Sequence, residues 1–315
     1  MRVHLDTDFA GDTDDAAALA LLLGSEDVEV TGITTVADPD GRRAGYVHRV
    51  LALTGREEIP VAAGAGVSST TGRPMGDLPD HFRYWGDGAV QPRPSADGEA
   101  VSLLTASVDT GAVVIGIGPY TNLARLEAVS PGSLARTQVV LMGGWVHPPA
   151  PDLPQWGPDM DWNVQCDTAA ARTVFEAAAG DGLVLVTLTA TLGAHLRAGQ
   201  LGRLEASGPL GRLLARQARA HAEDHQMAGL GRSYPGLPDD LLNFQYDPVA
   251  AAVAVGLPVA TAAVLSLQTA MDGGVLRFVE AGSGRSCRVV TDVDGSRFDE
   301  VWLTSIERAD RRLGP

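Results

Sequence analysis

The chain has 315 residues, 45% of them hydrophobic, which is enough to bury a full core in one α/β domain or in two smaller ones. Its formal net charge of −15 makes it a poor partner for nucleic-acid backbones or anionic membranes. Lysine is absent, which excludes Schiff-base and P-loop chemistry, and the two cysteines, Cys166 and Cys287, lie in no CxxC or Cys/His cluster that would hold zinc or frame disulfides.

Residues 3–5 read as a strand and residues 16–23 as a helix. Between them comes the stretch Asp6-Thr7-Asp8-Phe9-Ala10-Gly11-Asp12-Thr13-Asp14-Asp15. A strand-to-helix turn carrying Asp6, Asp8, Asp12, Asp14 and Asp15 repels itself unless a cation sits in it. Oxygen-only ligands suit calcium or magnesium rather than zinc or copper. Residues 28–36 are rich in β-branched side chains and predict a strand. Residues 41–54 predict a helix ended by Gly55, and 59–63 a short strand. A helix over 100–110, a strand over 112–117, and Gly118-Pro119 before a helix opened by Thr121 follow. Then come a strand over 138–142 ending at Gly143-Gly144, a helix over 168–179 and a strand over 183–188. Strands at 264–267 and 287–293 and a helix over 298–312 close the chain.

Near-continuous apolar strands separated by helices predict an α/β fold: a single open, mostly parallel twisted sheet with helices on both faces, one domain over residues 1–315. Residues 67–96, 145–162 and 217–245 break the rhythm with Gly, Pro, charge and aromatics, and read as loops or lids over a site. In such sheets ligands bind beyond the carboxyl ends of the strands. No run of about eighteen apolar residues predicts a membrane span, and the charge and hydropathy of the first residues do not predict a signal peptide. A cytoplasmic protein without nucleic-acid or membrane partners is expected.

Four segments end a strand or open a helix with groups suited to one site: the aspartate cluster, Gly116-Ile117-Gly118-Pro119-Tyr120-Thr121-Asn122, Asp161-Trp162-Asn163, and Gln245-Tyr246-Asp247-Pro248. With Gly32-Ile33-Thr34-Thr35-Val36 and Val140-Leu141-Met142-Gly143-Gly144 they occur in an order that resembles the nucleoside hydrolase family, the inosine-uridine type N-ribohydrolases, over roughly the first 255 residues. The resemblance implies hydrolysis of a nucleoside to free base and ribose, with one Ca²⁺ at the bottom of the pocket. It implies Asp8, Asp15 and Asp247 as carboxylate ligands and Ile117 as a ligand through its backbone carbonyl. The ion would hold a water and the ribose diol, and Asp8 would be the general base. Asp14, Asn163, Asp161 and Gln155 stand where the family places sugar-binding groups. A homodimer or homotetramer is implied as well.

The departures from the family pattern matter equally. The first loop is two residues longer than the usual form, and Asp12 on it is expected to face solvent. Asp38-Pro39-Asp40 replaces an asparagine after the second strand, and Trp85-Gly86 replaces a His-Gly. Tyr246 replaces the histidine that acts as leaving-group acid in purine-preferring members; a phenol with a pKa near 10 is the weaker acid. Trp85, Trp145, Trp156 and Trp162 could stack on a base or simply pack loops. His81, His147, His221 and His225 lie in the loops, and the last two are spaced to share a helix face, which makes His225 a candidate acid. Two other readings stand against hydrolysis. One is a non-catalytic ribosyl-binding homologue. The other is a magnesium-dependent phosphatase of the haloacid dehalogenase type, which would want a lysine and leave Asp14-Asp15 and Asp247 unexplained.

Overall fold

A computed structural model describes residues 1–178 and 180–311. In chain order the elements are β1 (Arg2–Thr7), α1 (Asp14–Gly24), β2 (Glu29–Thr35), α2 (Arg42–Leu53), β3 (Val61–Ala63), α3 (His81–Trp85), α4 (Glu99–Asp109) and β4 (Val113–Gly116). Then follow α5 (Thr121–Val129), β5 (Val139–Met142), α6 (Trp162–Cys166), α7 (Thr168–Ala177), β6 (Leu183–Val186), α8 (Leu188–Thr191) and β7 (His195–Arg197). The rest is α9 (Leu201–Ser207), α10 (Pro209–Asp224), α11 (Met227–Ser233), β8 (Leu241–Phe244), α12 (Tyr246–Ala254), β9 (Ala260–Asp272), β10 (Val275–Glu280), β11 (Arg285–Val293) and α13 (Gly295–Arg311). Residues 179 and 312, the expected ends of two helices, lie outside the described residues.

The expected open sheet is present. Nine strands run in the order β10-β9-β11-β6-β5-β4-β1-β2-β3. From β3 to β11 every pairing is parallel, and only β9 and β10 add antiparallel edges. Successive residues of a strand point to opposite faces, so each face has its own core. Ile115 packs with α1, α12 and α13 on one side, and Val114 with α4, α5 and α7 on the other. The α1 sequence is apolar all round after its two aspartates, and every residue of it is buried. It runs through the first core between α12 and α13, where Trp302 donates its indole N–H to Ala17 O at 3.3 Å.

Two expectations change. The lid over 217–245 is largely helical: α10 runs through Asp224 and α11 follows. Its inward stripe of Leu210, Leu213, Leu214 and Ala218 also carries Gln217 and His221, and those polar residues broke the apolar period. The strand expected over 264–267 is the middle of a thirteen-residue strand, β9, hairpinned to β10, which the sequence reading did not contain. β9 is partly exposed along its length, so its apolar pattern is weak.

The order of the strands places the site. The winding direction reverses between β1 and β4, which makes a crevice beyond their carboxyl ends. Asp8 leaves β1 there and Ile117 leaves β4 there, tied together by Ile117 N–H donating to Asp6 O at 2.8 Å.

Candidate active site

A cavity of about 450 Å³ opens at that crevice. Its floor holds Asp8, Asp12, Asp14, Asp15 and Asp247 with Ile117. Asp161, Trp162 and Asn163 line it from the start of α6, and Trp156, His221, His225 and Tyr246 from the lids and from α12. Asp14 and Asp15 are the first two residues of α1 and Asp247 lies in the first turn of α12, so three carboxylates sit at two helix N-termini. Those dipole ends partly offset the charge. The offset is incomplete. Burial, then the neighbouring carboxylates, push Asp14, Asp15 and Asp247 well above the ordinary carboxylate range. Burial also raises Asp8, against the pull of the Arg43 guanidinium.

A hard divalent cation fits this donor set. The clustered side chains offer carboxylate oxygens, the carboxylates repel one another, and Asp12, Asp14 and Asp15 bring oxygen atoms within 4.8 Å of each other. The tightest trio therefore differs from the expected Asp8, Asp15 and Asp247, although those three and Ile117 line the same cavity. Thr7 donates its hydroxyl to Asp15 and fixes that carboxylate.

Asn163 donates its amide to the carbonyls of Ile117 at 3.0 Å and Met142 at 3.1 Å, which locks its orientation at the cavity wall. Asp161 caps α6 through Val164 N–H and accepts Gly144 N–H at 2.5 Å; burial raises its pKa to about 6. Trp162 is half exposed and donates its indole N–H to Asp8 Oδ2 at 3.2 Å, standing as a wall over the carboxylate. Trp156 reaches the cavity edge-on to Phe244, and Trp145 supports it by donating to its carbonyl at 2.9 Å.

Several sequence-predicted residues stand elsewhere. Gln155 is exposed and spends its amide on Ala150 O and Leu153 O, both at 2.8 Å, away from the cavity. Trp85 is 2% exposed and packs against Phe9 and Tyr46, so it is core beneath the first loop and not a base platform. His81 and His147 bond to Tyr46 and Glu280 outside the cavity. Asp38 is consumed locally: its carboxylate accepts from Thr35 and from the N–H groups of Arg43 and Ala44, which start α2.

Asp12 does not face open solvent as expected. It is half-buried at the cavity wall, and Asp14 N–H donates to its Oδ1 at 2.7 Å. Burial pushes its pKa up, but bonds from Asp14 and the imidazoles of His221 and His225 outweigh this and leave it low. Arg43 was missed altogether. It is buried, donates to the carbonyls of Ala37, Asp8 and Phe9, and holds the long first loop in place while lining the cavity. Its only signal was an arginine pair after the second strand. Tyr246 stands at the cavity with its phenol held well above 10 by burial, then by Asp14, Asp12 and Asp247.

An open, mostly parallel sheet with an acidic pocket at its switch point places the chain among α/β proteins that bind small molecules beyond the carboxyl ends of their strands. The family model described as inosine-uridine preferring nucleoside hydrolase matches residues 3–300, and the chain belongs to that family. It is 31% identical to the pyrimidine-specific ribonucleoside hydrolase RihA of Salmonella typhimurium over 223 residues, 68% of this chain and 69% of that protein. Among solved structures, the purine-preferring ribonucleoside hydrolase from Gardnerella vaginalis superposes with a TM-score of 0.79 at 23% identity, covering 99% of both chains. A plant nucleoside hydrolase, PpNRh1, gives 0.78 at 21% identity, covering 97% of this chain and 98% of that one. The chain is thus a nucleoside hydrolase, and the phosphatase reading falls away.

Proposed function

We propose that this nucleoside hydrolase cleaves the N-glycosidic bond of a ribonucleoside in a calcium-dependent reaction, releasing free base and ribose, with Asp8 as the general base for the attacking water. The observation that carries the reading is the convergence of Asp8, Asp14, Asp15, Asp247 and the Ile117 residue on one cavity from four separate strand and helix ends.

Asp8, Asp15, Asp247 and the Ile117 carbonyl would hold the ion, with Asp12 and Asp14 close by. When bound, calcium supplies the positive charge that polarises a water and orients the ribose diol. Asp8 faces the cavity with one oxygen steadied by Trp162, and takes the proton from the water. Asp14 accepts a hydrogen bond from a ribose hydroxyl. Asn163 and Asp161, locked by their backbone contacts, hold the other side of the sugar. As the bond stretches the sugar gains oxocarbenium character, and the surrounding carboxylates favour that positive charge. The departing base needs a proton, and His225 and Tyr246 stand at the wall where it leaves. The family resemblance supports a single-domain protein that assembles as a homodimer or homotetramer.

A reducing-sugar assay over a panel of purine and pyrimidine nucleosides, with metal analysis of the purified protein, tests the reading. Stoichiometric calcium with sugar release from at least one nucleoside is expected. Calcium without release from any member would favour a ribosyl-binding protein.

A further inference from the structure

We propose that His225 is the acid that protonates the departing base, stacked on His221 and oriented by Asp12 as a positioning residue. This rests on the hydrolase reading above. Tyr246 lines the cavity as well, but a phenol is a weaker acid near neutrality than an imidazolium. Only two imidazoles line the cavity among the described residues. Their ring centroids are 4.3 Å apart and the planes 32° from parallel.

The two rings are not equivalent. His221 is 8% exposed, and its Nδ1 is buried without a hydrogen-bond partner among the described residues. Two imidazoliums at stacking distance repel, and burial disfavours the charged form at His221. His225 is exposed and caps the C-terminus of α10, so its ring is open both to solvent and to the cavity. Asp12, from the long first loop, faces both rings with its carboxylate fixed by Asp14 N–H. The end of α10 is held in turn: Arg83 pairs with Glu223 and Asp224, and Tyr84 donates its hydroxyl to Asp224 at 3.1 Å. The charged groups around His225 are therefore Asp12 from the loop, Asp224 from its own helix and Arg83 from α3.

The step balances. The C1′–N bond breaks and its electron pair passes to the base nitrogen. The His225 ring proton moves to the base, the water oxygen bonds to C1′, and the water proton goes to Asp8. His225 regains a proton from solvent, to which it is open. The device suits nucleosides whose base departs only when protonated.

The test compares inosine with p-nitrophenyl β-D-riboside, whose phenolate leaves without a proton. His225→Gln should cut kcat on inosine about 10²–10⁴-fold and change the phenyl riboside by no more than about threefold. Asp12→Asn should shift the ratio of the two substrates in the same direction by about tenfold. His225 is exposed, so its variant folds, and an unchanged Tm checks this. Parallel losses on both substrates, or no loss on inosine, would overturn the assignment, as would a wild-type enzyme that cleaves the phenyl riboside and no nucleoside. A wild-type enzyme that cleaves neither would overturn the hydrolase reading itself.

Discussion

Asp15 shows how a single side chain is at once a liability and a requirement. It is buried, repelled by Asp8 and Asp12, and stabilised mainly by the Thr7 hydroxyl. Asp15→Asn keeps the shape and removes the repulsion. Metal-free Asp15→Asn should therefore be more stable than the metal-free parent by about 1–4 kcal/mol, read as a higher Tm, while losing turnover and the Tm response to calcium. Asp8→Asn should keep the fold by circular dichroism and lower kcat by about 10²–10⁴-fold in the reducing-sugar assay. His4 gives a pH signature away from the cavity. It lies fully buried between Ser107 and Thr34 at 2.8 and 3.0 Å, and burial lowers its pKa to about 3. A histidine lowered on folding contributes stability that is present above its unfolded value near 6.5 and is lost as pH falls from there towards 3. The Tm of the protein should carry that acid-side loss, and His4→Gln should reduce it in melts between pH 7 and 5.

At the scale of elements, the fit between helices is set by small residues as much as by large ones. A Cβ at Gly24 would lie 1.7 Å from Ser305 O, so α1 and α13 meet backbone to backbone there. Gly24→Ala should destabilise by about 1–3 kcal/mol or more, read as a lower denaturant midpoint with little change in KM. Trp85 belongs to this scale too: Trp85→Ala should cost about 3–5 kcal/mol of stability while leaving the KM for a nucleoside near the parent value. Sequence reading succeeded where one period dominated. The apolar runs of β4, β5 and β6 are buried along their whole length and were legible as strands of a parallel sheet. It failed at α10, where buried Gln217 and His221 interrupt the apolar pattern, and at β9 and β10, which were read too short or not at all. The hairpin signal was available: Gly273-Gly274 adopts φ of +58° and +89° in the two-residue turn between them.

For the whole molecule, the aspartate floor couples fold and function. The metal-free protein concentrates buried carboxylates where the core needs neutrality, so stability and cation binding are linked. On the calcium reading, the ion should stabilise the fold by RT ln(1 + [Ca²⁺]/Kd), seen by differential scanning fluorimetry as a Tm that rises with calcium concentration and falls back on adding a chelator. Groups whose pKa is raised on folding contribute stability that is present below their unfolded value and lost as pH rises through the folded one. For Asp6, raised by burial to about 7, and Asp161, raised to about 6, that window runs upward from the ordinary carboxylate range near 4.

From the amino-acid order alone came the parallel α/β frame, the acidic strand-to-helix turn, the family and most of the residues at the cavity. Each is written in a local pattern: β-branched runs, helix starts and short motifs at strand ends. Tertiary structure decided the rest, because it depends on which surfaces meet. It turned Asp12 inward against two imidazoles, buried Trp85 under the first loop, left Gln155 outside, and brought Arg43 to the back of Asp8. No local pattern encodes those choices. They follow from the packing of α2, α3 and α10 around the first loop.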